Sequence, residues 1–286
     1  MKIVKKVSII IRTCDRPLLL KRALINIFIQ TYKDFEIIVI NNGGKEELLF
    51  KIIDEFNIDQ KNKIKVETLD YMATRGQALN VGICRSQGEY IAILDDDDTW
   101  NPKFLENCIE YLECHIATNG VATRTVMVTE KIEGNTIVEL NKRIFNPQLK
   151  KGRLVKMLRC NLFTINAFVY RREVFKDVGL YREDLLALED WEFNLRYMLK
   201  NKVDILPSSL AYYHKRINLN AYSAAYLNSG IEEHLKADQM IRKEYMLRLL
   251  KQKRFLAAVL IYVFGIINGI TRTIKGVTMY LLKMEK

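Results

Sequence analysis

GEYIAILDDDD, residues 88–98, is the stretch that decides the fold of this 286-residue chain. Tyr90 to Leu94 is uninterruptedly apolar, which predicts a strand buried on both faces. The aspartates that follow, Asp95 to Asp98, cannot be held in a core, so they must project from the carboxyl end of that strand. Ligands of open α/β sheets bind at this edge. The stretch therefore predicts a central strand that ends in a binding site.

Four adjacent carboxylates repel one another and favour a counter-cation. Mg²⁺ or Mn²⁺ is the expected ion, because hard divalent cations prefer carboxylate oxygens and share their coordination with a bound phosphate. The alternative is a solvated acidic turn with no ion. It is less favoured here because such turns rarely follow an apolar strand so closely.

Composition limits the classes of protein to consider. Apolar residues make up 49% of the chain and charged residues 28%, which excludes wholesale disorder. Ten basic and two acidic residues of the +11 chain lie in 241–286, so we expect no nucleic-acid binding by the main domain. The five cysteines lack metal-ligand spacing and indicate reduced, mostly buried thiols. The N-terminus runs straight into a strand without a signal peptide, and a cytoplasmic protein is expected.

Strand and helix patterns alternate along the first hundred residues, which predicts a doubly wound sheet. The predicted strands lie at 7–11, 36–40, 64–66 and 90–94, with helices at about 17–29, 45–56 and 76–86. Further on, we expect strands at 121–129, 164–170 and 210–213, a variable loop at 130–150, and helices at 189–200 and within 221–252. No GxGxxG follows the first strand, so a dinucleotide site is unsupported.

Several segments together resemble family 2 glycosyltransferases. They are VSIIIRTCDR (7–16), QTYKDFEIIVINNG (30–43), ALN (78–80), GEYIAILDDDD (88–98), RREVFKDVG (171–179) and EDW (189–191). Their order is the family's order over about residues 5–216. The resemblance implies a GT-A fold, an α/β domain at 1–216 with a Rossmann-like, mixed but mostly parallel sheet and flanking helices. For residues 217–286 we expect a helical C-terminal region that is basic and apolar.

The resemblance also implies residue roles in inverting transfer from a nucleotide-diphosphate sugar. Asp97 would bind the metal, and Asp95 or Asp96 would hold the donor's ribose. Asp190 would be the base that deprotonates the acceptor hydroxyl. Glu189 would help to position the acceptor or the base. On spacing alone these two acids could equally be helix N-terminal caps, and Asp98 could cap the next helix.

The nucleotide is expected among residues at the ends of the first strands. These donor-binding candidates are Thr13, Asp15, Arg16, Asn41, Asn42, Arg75, Asp95 and Asp96. Asn41 and Asn42 stand where the family usually has aspartate, so the base is harder to name. Cys14 and Arg12 replace a frequent tyrosine and proline, and Arg12 or Arg16 could meet the diphosphate or form a surface salt bridge. His214 is a candidate ligand of the metal or diphosphate, or a structural histidine.

The C-terminal tail contains an uncharged stretch of 17 residues, 255–271, with basic residues on both sides. This length is at the lower limit for a spanning helix, and Asn268 with two glycines weakens that interpretation. A helix lying on an anionic membrane through 255–284 fits better. The alternative is a helix that packs on the domain or in a homo-oligomer, for which the GxxxG of Gly265 and Gly269 is a weak signal.

The sequence therefore predicts a metal-dependent glycosyltransferase acting on a glycan or lipid-linked acceptor in surface polysaccharide synthesis, at the cytoplasmic membrane face. One rival is a haloacid-dehalogenase-type phosphatase, because Asp95 to Thr99 reads DxDxT. That class expects the motif on its first strand and a downstream GDxxxD, which this chain lacks. A second rival is a non-catalytic sugar-nucleotide-binding scaffold, which Asn41 and Asn42 favour mildly.

Overall fold

One mixed sheet of nine strands organises the chain. The computed structural model describes residues 6–217 and 231–268. Its strands are β1 Val7–Thr13, β2 Phe35–Asn42, β3 Ile64–Leu69, β4 Tyr90–Ile93, β5 Thr99–Trp100, β6 Gly120–Glu133, β7 Thr136–Ile144, β8 Phe168–Arg171 and β9 Asp204–Arg216. Its helices are α1 Pro17–Phe28, α2 Glu46–Ile53, α3 Ile58–Lys61, α4 Arg75–Arg85, α5 Phe104–Cys114, α6 Leu154–Arg159, α7 Val174–Val178, α8 Glu189–Lys200 and α9 Ile231–Lys251, followed by helical residues 255–268.

The strand order is β3-β2-β1-β4-β8-β6-β9-β5, with β7 paired to β6. The first four strands of that order are parallel, and β8 joins β4 in the antiparallel sense. The carboxyl ends of β1, β2 and β4 therefore meet at one edge of the sheet. This arrangement confirms the predicted α/β class and the central position of the 90–94 strand.

The apolar runs of the three central strands are buried because helices and neighbouring strands enclose them. Every residue of β4 is buried, and Val7, Ile9, Ile10 and Ile11 of β1 are fully buried. Hydrophobic transfer favours this by about 1.5–3 kcal/mol for each large aliphatic side chain. A rigid core thus ends directly at the acidic loop that begins with Asp95.

The loop predicted at 130–150 was wrong in large part. Strand β6 continues to Glu133, and a two-residue turn at Gly134 and Asn135 leads into β7. Gly134 has φ +59°, the left-handed conformation that short hairpin turns require. The pairing was missed because β7 is mostly exposed and its apolar residues do not alternate regularly with polar ones.

Other boundaries also differ from the predictions. The predicted strand 164–170 begins with a 3-10 turn, Ile165–Ala167, and only then becomes β8. The expectation of mostly buried thiols was wrong, because Cys108 alone of the five is buried. Helix α9 lies within the predicted 221–252 helical region, while 218–230 and 269–286 are outside the described residues.

The C-terminal helices share the core of the sheet domain. Ile241, Tyr245 and Leu249 of α9, with Ala258 and Ile261 of the next helix, belong to the same buried cluster as the strands. Strand β9 ends at Arg216, and the division into two domains at that position stays a prediction. Within 6–217 and 231–268, none of the helices combines the length and apolarity that crossing a bilayer requires.

Candidate active site

Two acidic elements meet at the carboxyl edge of the sheet, and Arg12 of β1 connects them. Its Nη2 donates to Asp95 Oδ1 at 2.6 Å, and its Nη1 donates to Glu189 Oε1 at 3.2 Å. Arg12 therefore joins the loop after β4 to the first turn of α8, far apart in the chain. The predicted donor-binding carboxylate and the EDW segment are thereby brought to one site.

Asp95, Asp97 and Asp98 form a possible cation site. Each offers a carboxylate oxygen, and the three oxygens lie within 4.8 Å of one another. This all-oxygen set suits Mg²⁺ or Mn²⁺. Asp97 also accepts hydrogen bonds from Arg16 Nη1, at 2.9 Å, and from Arg216 Nη2. Burial raises the pKa of Asp97, but these two guanidinium groups outweigh that effect and hold it below its ordinary value.

Asp96 is bonded to the end of β1 and shares Arg16 with Asp97. Thr13 Oγ1 donates to its Oδ2 at 2.7 Å, and Arg16 Nη1 donates to its Oδ1 at 3.0 Å. Burial, helped by the neighbouring Asp97 charge, raises the pKa of Asp96 to about 7. The four aspartates are therefore not equivalent, since three face a common point and Asp96 is tied to β1.

Asp98 does not cap the helix that follows. Its Oδ1 accepts the backbone N–H of His214 at 2.9 Å, while α5 begins at Phe104 without a side-chain cap. The His214 ring lies beside this bond, with Nδ1 2.7 Å from Glu130 Oε2 and Nε2 2.8 Å from Thr99 Oγ1. Both ring nitrogens thus have protein partners. The role of His214 toward a metal or diphosphate stays a prediction that requires Nε2 to leave Thr99.

Glu130 is a functional candidate that sequence reasoning missed. It is fully buried and accepts hydrogen bonds from Arg22 Nη1 at 2.8 Å and Arg216 Nη1 at 3.3 Å, besides its contact with His214. Burial opposes its ionisation, but His214 and Arg22 lower the pKa of Glu130 to about 2. Glu130 therefore holds the arginines that face Asp97. The sequence predicts a loop from residue 130 onward, so a buried glutamate on a strand was not expected there.

Asp190 has a protein donor on each carboxylate oxygen. Asn161 Nδ2 donates to Oδ2 at 2.7 Å, and the backbone N–H of Trp191 donates to Oδ1 at 2.7 Å. Burial and the Glu189 charge raise the pKa of Asp190 to about 7. The preceding Leu188 has φ +64°, a strained left-handed conformation that aims the start of α8 at the site. Asn161 was also missed, because nothing local marks it.

Four of the candidate nucleotide-binding residues line a shallow cleft between the ends of β1 and β2. The lining includes Thr13, Asp15, Arg16, Asn41 and Lys45. Asn41 Nδ2 donates to the Gly44 carbonyl at 2.7 Å, and Asp15 Oδ1 accepts from the backbone N–H of Lys45 at 2.7 Å. The first bond closes the turn after β2, and the second joins that turn to the loop after β1.

Asn42 and Arg75 lie farther along the same edge. Both sides of the Asn42 amide are bonded to the main chain of Ala73, at 2.8 and 3.0 Å. The Arg75 carbonyl accepts from Arg12 Nη1 at 3.2 Å, and its guanidinium charge lowers the pKa of Asp190 against the larger effect of burial. Recognition of the nucleobase by Asn42 therefore stays a prediction. Arg75 lies near both Arg12 and Asp190.

This strand order, with the acidic loop after β4 and the Glu189-Asp190 pair brought together at the carboxyl edge of the sheet, agrees with the expected GT-A fold. Residues 8–179 match the model of Glycosyl transferase family 2. The chain therefore belongs to this family of glycosyltransferases, and the predicted family is confirmed. The phosphatase alternative is not favoured.

Similar proteins agree with this assignment. An uncharacterized glycosyltransferase of Haemophilus influenzae is 26% identical over 223 residues, which are 77% of this chain and 68% of that protein. The poly(ribitol-phosphate) beta-N-acetylglucosaminyltransferase TarS of Staphylococcus aureus is 24% identical over 206 residues, 68% of this chain and 32% of that protein.

Solved structures show the shared fold. The structure of TarS 1-349 with UDP-GlcNAc aligns with a TM-score of 0.63 at 19% identity, covering 84% of this chain and 66% of that one. The mannosyltransferase PcManGT of Pyrobaculum calidifontis, with GDP-Man and Mn²⁺, aligns with a TM-score of 0.58 at 14% identity and covers 98% and 81%. Against the longer TarS structure, this chain spans 39% of the length.

Proposed function

We propose that this protein is a metal-dependent, inverting glycosyltransferase that moves a sugar from a nucleotide-diphosphate donor to a hydroxyl of a glycan or lipid-linked acceptor. The observation that carries the proposal is that the Asp95, Asp97, Asp98 cluster and the Glu189-Asp190 pair face one site, joined by Arg12. Relatives that bind UDP-GlcNAc or GDP-Man support a nucleotide-sugar donor. TarS, whose name refers to poly(ribitol-phosphate), supports a role in surface polysaccharide synthesis.

The residues divide the chemistry between the two ends of the site. Asp97, with Asp95 and Asp98, would hold Mg²⁺ or Mn²⁺, which neutralises charge developing on the departing diphosphate. Arg16 lies beside Asp97 and can bind the same anionic group. At the other end, Asp190 would accept the proton of the acceptor hydroxyl as that oxygen attacks the anomeric carbon. Asn161 and Trp191 would keep its carboxylate aimed during this step.

A donor panel tests the function. The purified protein is incubated with several UDP-, GDP- and dTDP-sugars, with Mg²⁺, Mn²⁺ or a chelator, and release of the nucleoside diphosphate is measured. We expect one donor class to be hydrolysed slowly without acceptor, and only with a metal. Release of inorganic phosphate from phosphate monoesters through an aspartyl-phosphate on Asp95 would overturn the proposal. Tight donor binding without any turnover would favour the non-catalytic scaffold.

The reaction should depend on pH through Asp190. Its pKa is raised to about 7, and only the ionised form can accept a proton. We therefore expect kcat/KM to rise with pH, about tenfold per unit below the pKa, and to level off above it. The charged or titratable groups that face Asp190 are Glu189, Arg75, Arg12, Tyr181 and Tyr213. A pH–rate profile at saturating metal measures this, and a flat profile from pH 5.5 to 8 would contradict the assignment.

The second part of the proposal concerns the membrane. Helix 255–268 buries one face on the domain through Ala258 and Ile261. Its other face is an exposed apolar stripe, consisting of Phe255, Leu256, Val259, Tyr262, Val263, Ile266 and Ile267. Exposed Lys251, Lys253 and Arg254 precede the stripe. Apolar side chains beside basic ones fit the surface of an anionic bilayer, which supports peripheral contact at the cytoplasmic membrane face.

Vesicle binding should depend on this stripe. We expect the combined substitutions Leu256→Ser, Val259→Ser and Ile266→Ser to weaken binding to phosphatidylglycerol-containing vesicles at least about tenfold, since each inserted apolar side chain contributes about 1.5–3 kcal/mol. Sedimentation with vesicles, compared with pure phosphatidylcholine vesicles, measures the effect. The control is Ile116→Ser, which alters an 84% exposed apolar side chain elsewhere. Unchanged binding together with loss of a dimer would assign the stripe to a homo-oligomer instead.

A further inference from the structure

Arg242 of α9 is the most completely bonded side chain of the C-terminal helices. It is 6% exposed, and all five of its N–H donors have acceptors. Asp238 accepts from Nε at 2.9 Å and from Nη2 at 3.1 Å. The other three bonds reach carbonyl groups of two different segments, those of Leu158, Arg159 and Ile261. A buried guanidinium that pairs with a carboxylate through two bonds and with three carbonyls holds the surrounding elements in one geometry.

Two of these carbonyls end helix α6. Leu158 and Arg159 are its last residues, and their carbonyls have no helical partner there. Arg242 donates hydrogen bonds to these two carbonyls, at 2.9 and 3.0 Å, and so replaces the missing helical donors. The helix dipole also favours a cation at a helix C-terminus. Two residues further on is Asn161, the donor to Asp190 Oδ2. Arg242 therefore fixes the segment that carries one of the two protein donors of Asp190.

The second donor of Asp190 is also adjacent to Arg242. The guanidinium lies 4.8 Å from the centre of the Trp191 ring, whose Nε1 donates to the Met157 carbonyl at 2.8 Å. The backbone N–H of Trp191 donates to Asp190 Oδ1. Arg242 thus contacts both the end of α6 and the start of α8, the two places from which Asp190 is held.

Helix 255–268 closes over this arginine. Gly265 packs on it so closely that an added Cβ would be 2.8 Å from Arg242 Cδ. Asn268 Nδ2 also donates to the Arg159 carbonyl at 2.9 Å. Helix α9 contacts α8 a second time, because the Tyr245 hydroxyl donates to Glu192 Oε1 at 2.7 Å. Both C-terminal helices therefore contact the elements that position Asp190.

We propose that Arg242 is a positioning residue for Asp190, and that the C-terminal helix pair is part of the catalytic unit as well as a candidate membrane contact. This inference rests on the proposed function, in which Asp190 is the base. It assigns to residues 231–268 a role that neither the aspartate cluster nor the EDW segment reveals. We therefore expect deletion of these helices to abolish transfer both in the absence and in the presence of membranes.

A double-mutant cycle tests the proposal on the full chain. Arg242→Met is made with Asp238→Asn, so that no buried charge is left without a counter-charge. We expect kcat to fall about 10- to 100-fold, because small displacements of a reacting group have effects of this size. The donor KM should change less than about twofold, since the aspartate cluster is untouched. In an Asp190→Asn background the same pair of substitutions should lower kcat less than about twofold.

The controls separate positioning from general damage. Lys243→Met removes an exposed charge from the same helix and should leave kcat unchanged. Arg242→Lys keeps the charge but offers three donors for five acceptors, so we expect an intermediate loss. If the variant with both Arg242→Met and Asp238→Asn does not fold, Arg242→Lys alone is compared in the wild-type and Asp190→Asn backgrounds. Arg242→Lys should also move the acidic limb of the pH profile to higher pH, because displacement of Asn161 and Trp191 weakens their hydrogen bonds to the ionised form of Asp190.

The outcomes are distinct. Equal losses in the wild-type and Asp190→Asn backgrounds would show a structural effect and overturn the proposal, as would an Arg242 variant with wild-type kcat. If Asp190→Asn itself retains wild-type transfer, the proposed base is wrong, and the inference fails with it. An inactive Asp190→Asn with a fully active Arg242 variant would refute the positioning role alone.

Discussion

Asp190→Asn should reduce kcat by roughly 10²–10⁴-fold, the range that a general base contributes. Asparagine keeps the shape of the side chain and an oxygen that can still accept from Asn161, but it cannot take a proton. In the proposed function the donor binds at the opposite end of the site, so its KM should stay within about twofold. Steady-state transfer to acceptor, measured beside donor affinity, separates the two effects.

The control for this prediction is Asp177→Asn, which neutralises an exposed carboxylate on the neighbouring helix α7. Its transfer rate should match that of the wild type. The slow, acceptor-independent hydrolysis of the donor should decrease less in Asp190→Asn than transfer does, if water can be activated elsewhere. Transfer at the wild-type rate in Asp190→Asn would rule out Asp190 as the base.

Asp97→Asn should weaken Mn²⁺ binding by more than roughly 100-fold, the upper end of what outer-shell substitutions cause in metal sites. Asp97 is one of three carboxylates that face a common point, and it is held beside Arg16 and Arg216. Removing its charge lowers the attraction for the cation and leaves both arginines more repulsive to it. Isothermal titration with Mn²⁺, in the absence of donor, measures this directly.

Two matched variants test the metal assignment. Asp97→Glu keeps the charge but moves the carboxylate by one methylene, so its Mn²⁺ affinity should be intermediate. Asp54→Asn neutralises an exposed carboxylate that pairs with Lys61, and it should bind Mn²⁺ as the wild type does. Wild-type Mn²⁺ affinity in Asp97→Asn would contradict a cation site at the aspartate cluster. Metal-independent transfer by the wild type would contradict the proposed dependence on metal.

The central sheet was predictable because its signals are local. Strand β4 is an uninterrupted apolar run, β1 and β2 contain the apolar runs 9–11 and 37–40, and polar residues follow each run. Parallel strands bring their carboxyl ends to one edge, so Thr13, Asn41 and Asp95 could be placed together without coordinates. The hairpin of β6 and β7 was not predictable in this way, because exposed strands pair through the backbone and need no apolar alternation.

The sequence by itself determined the family, the central strands and the acidic residues of the candidate site, since motif spacing and burial patterns lie within short segments. Only the tertiary structure decided the partners of those residues. Arg12 reaches Asp95 and Glu189 across 83 and 177 positions. Asn161 and Glu130 contact the site, and Arg242 contacts the segment that carries Asn161, all from elements that carry no motif. A hydrogen bond between distant residues depends on how whole elements pack, and no local pattern of residues records that packing.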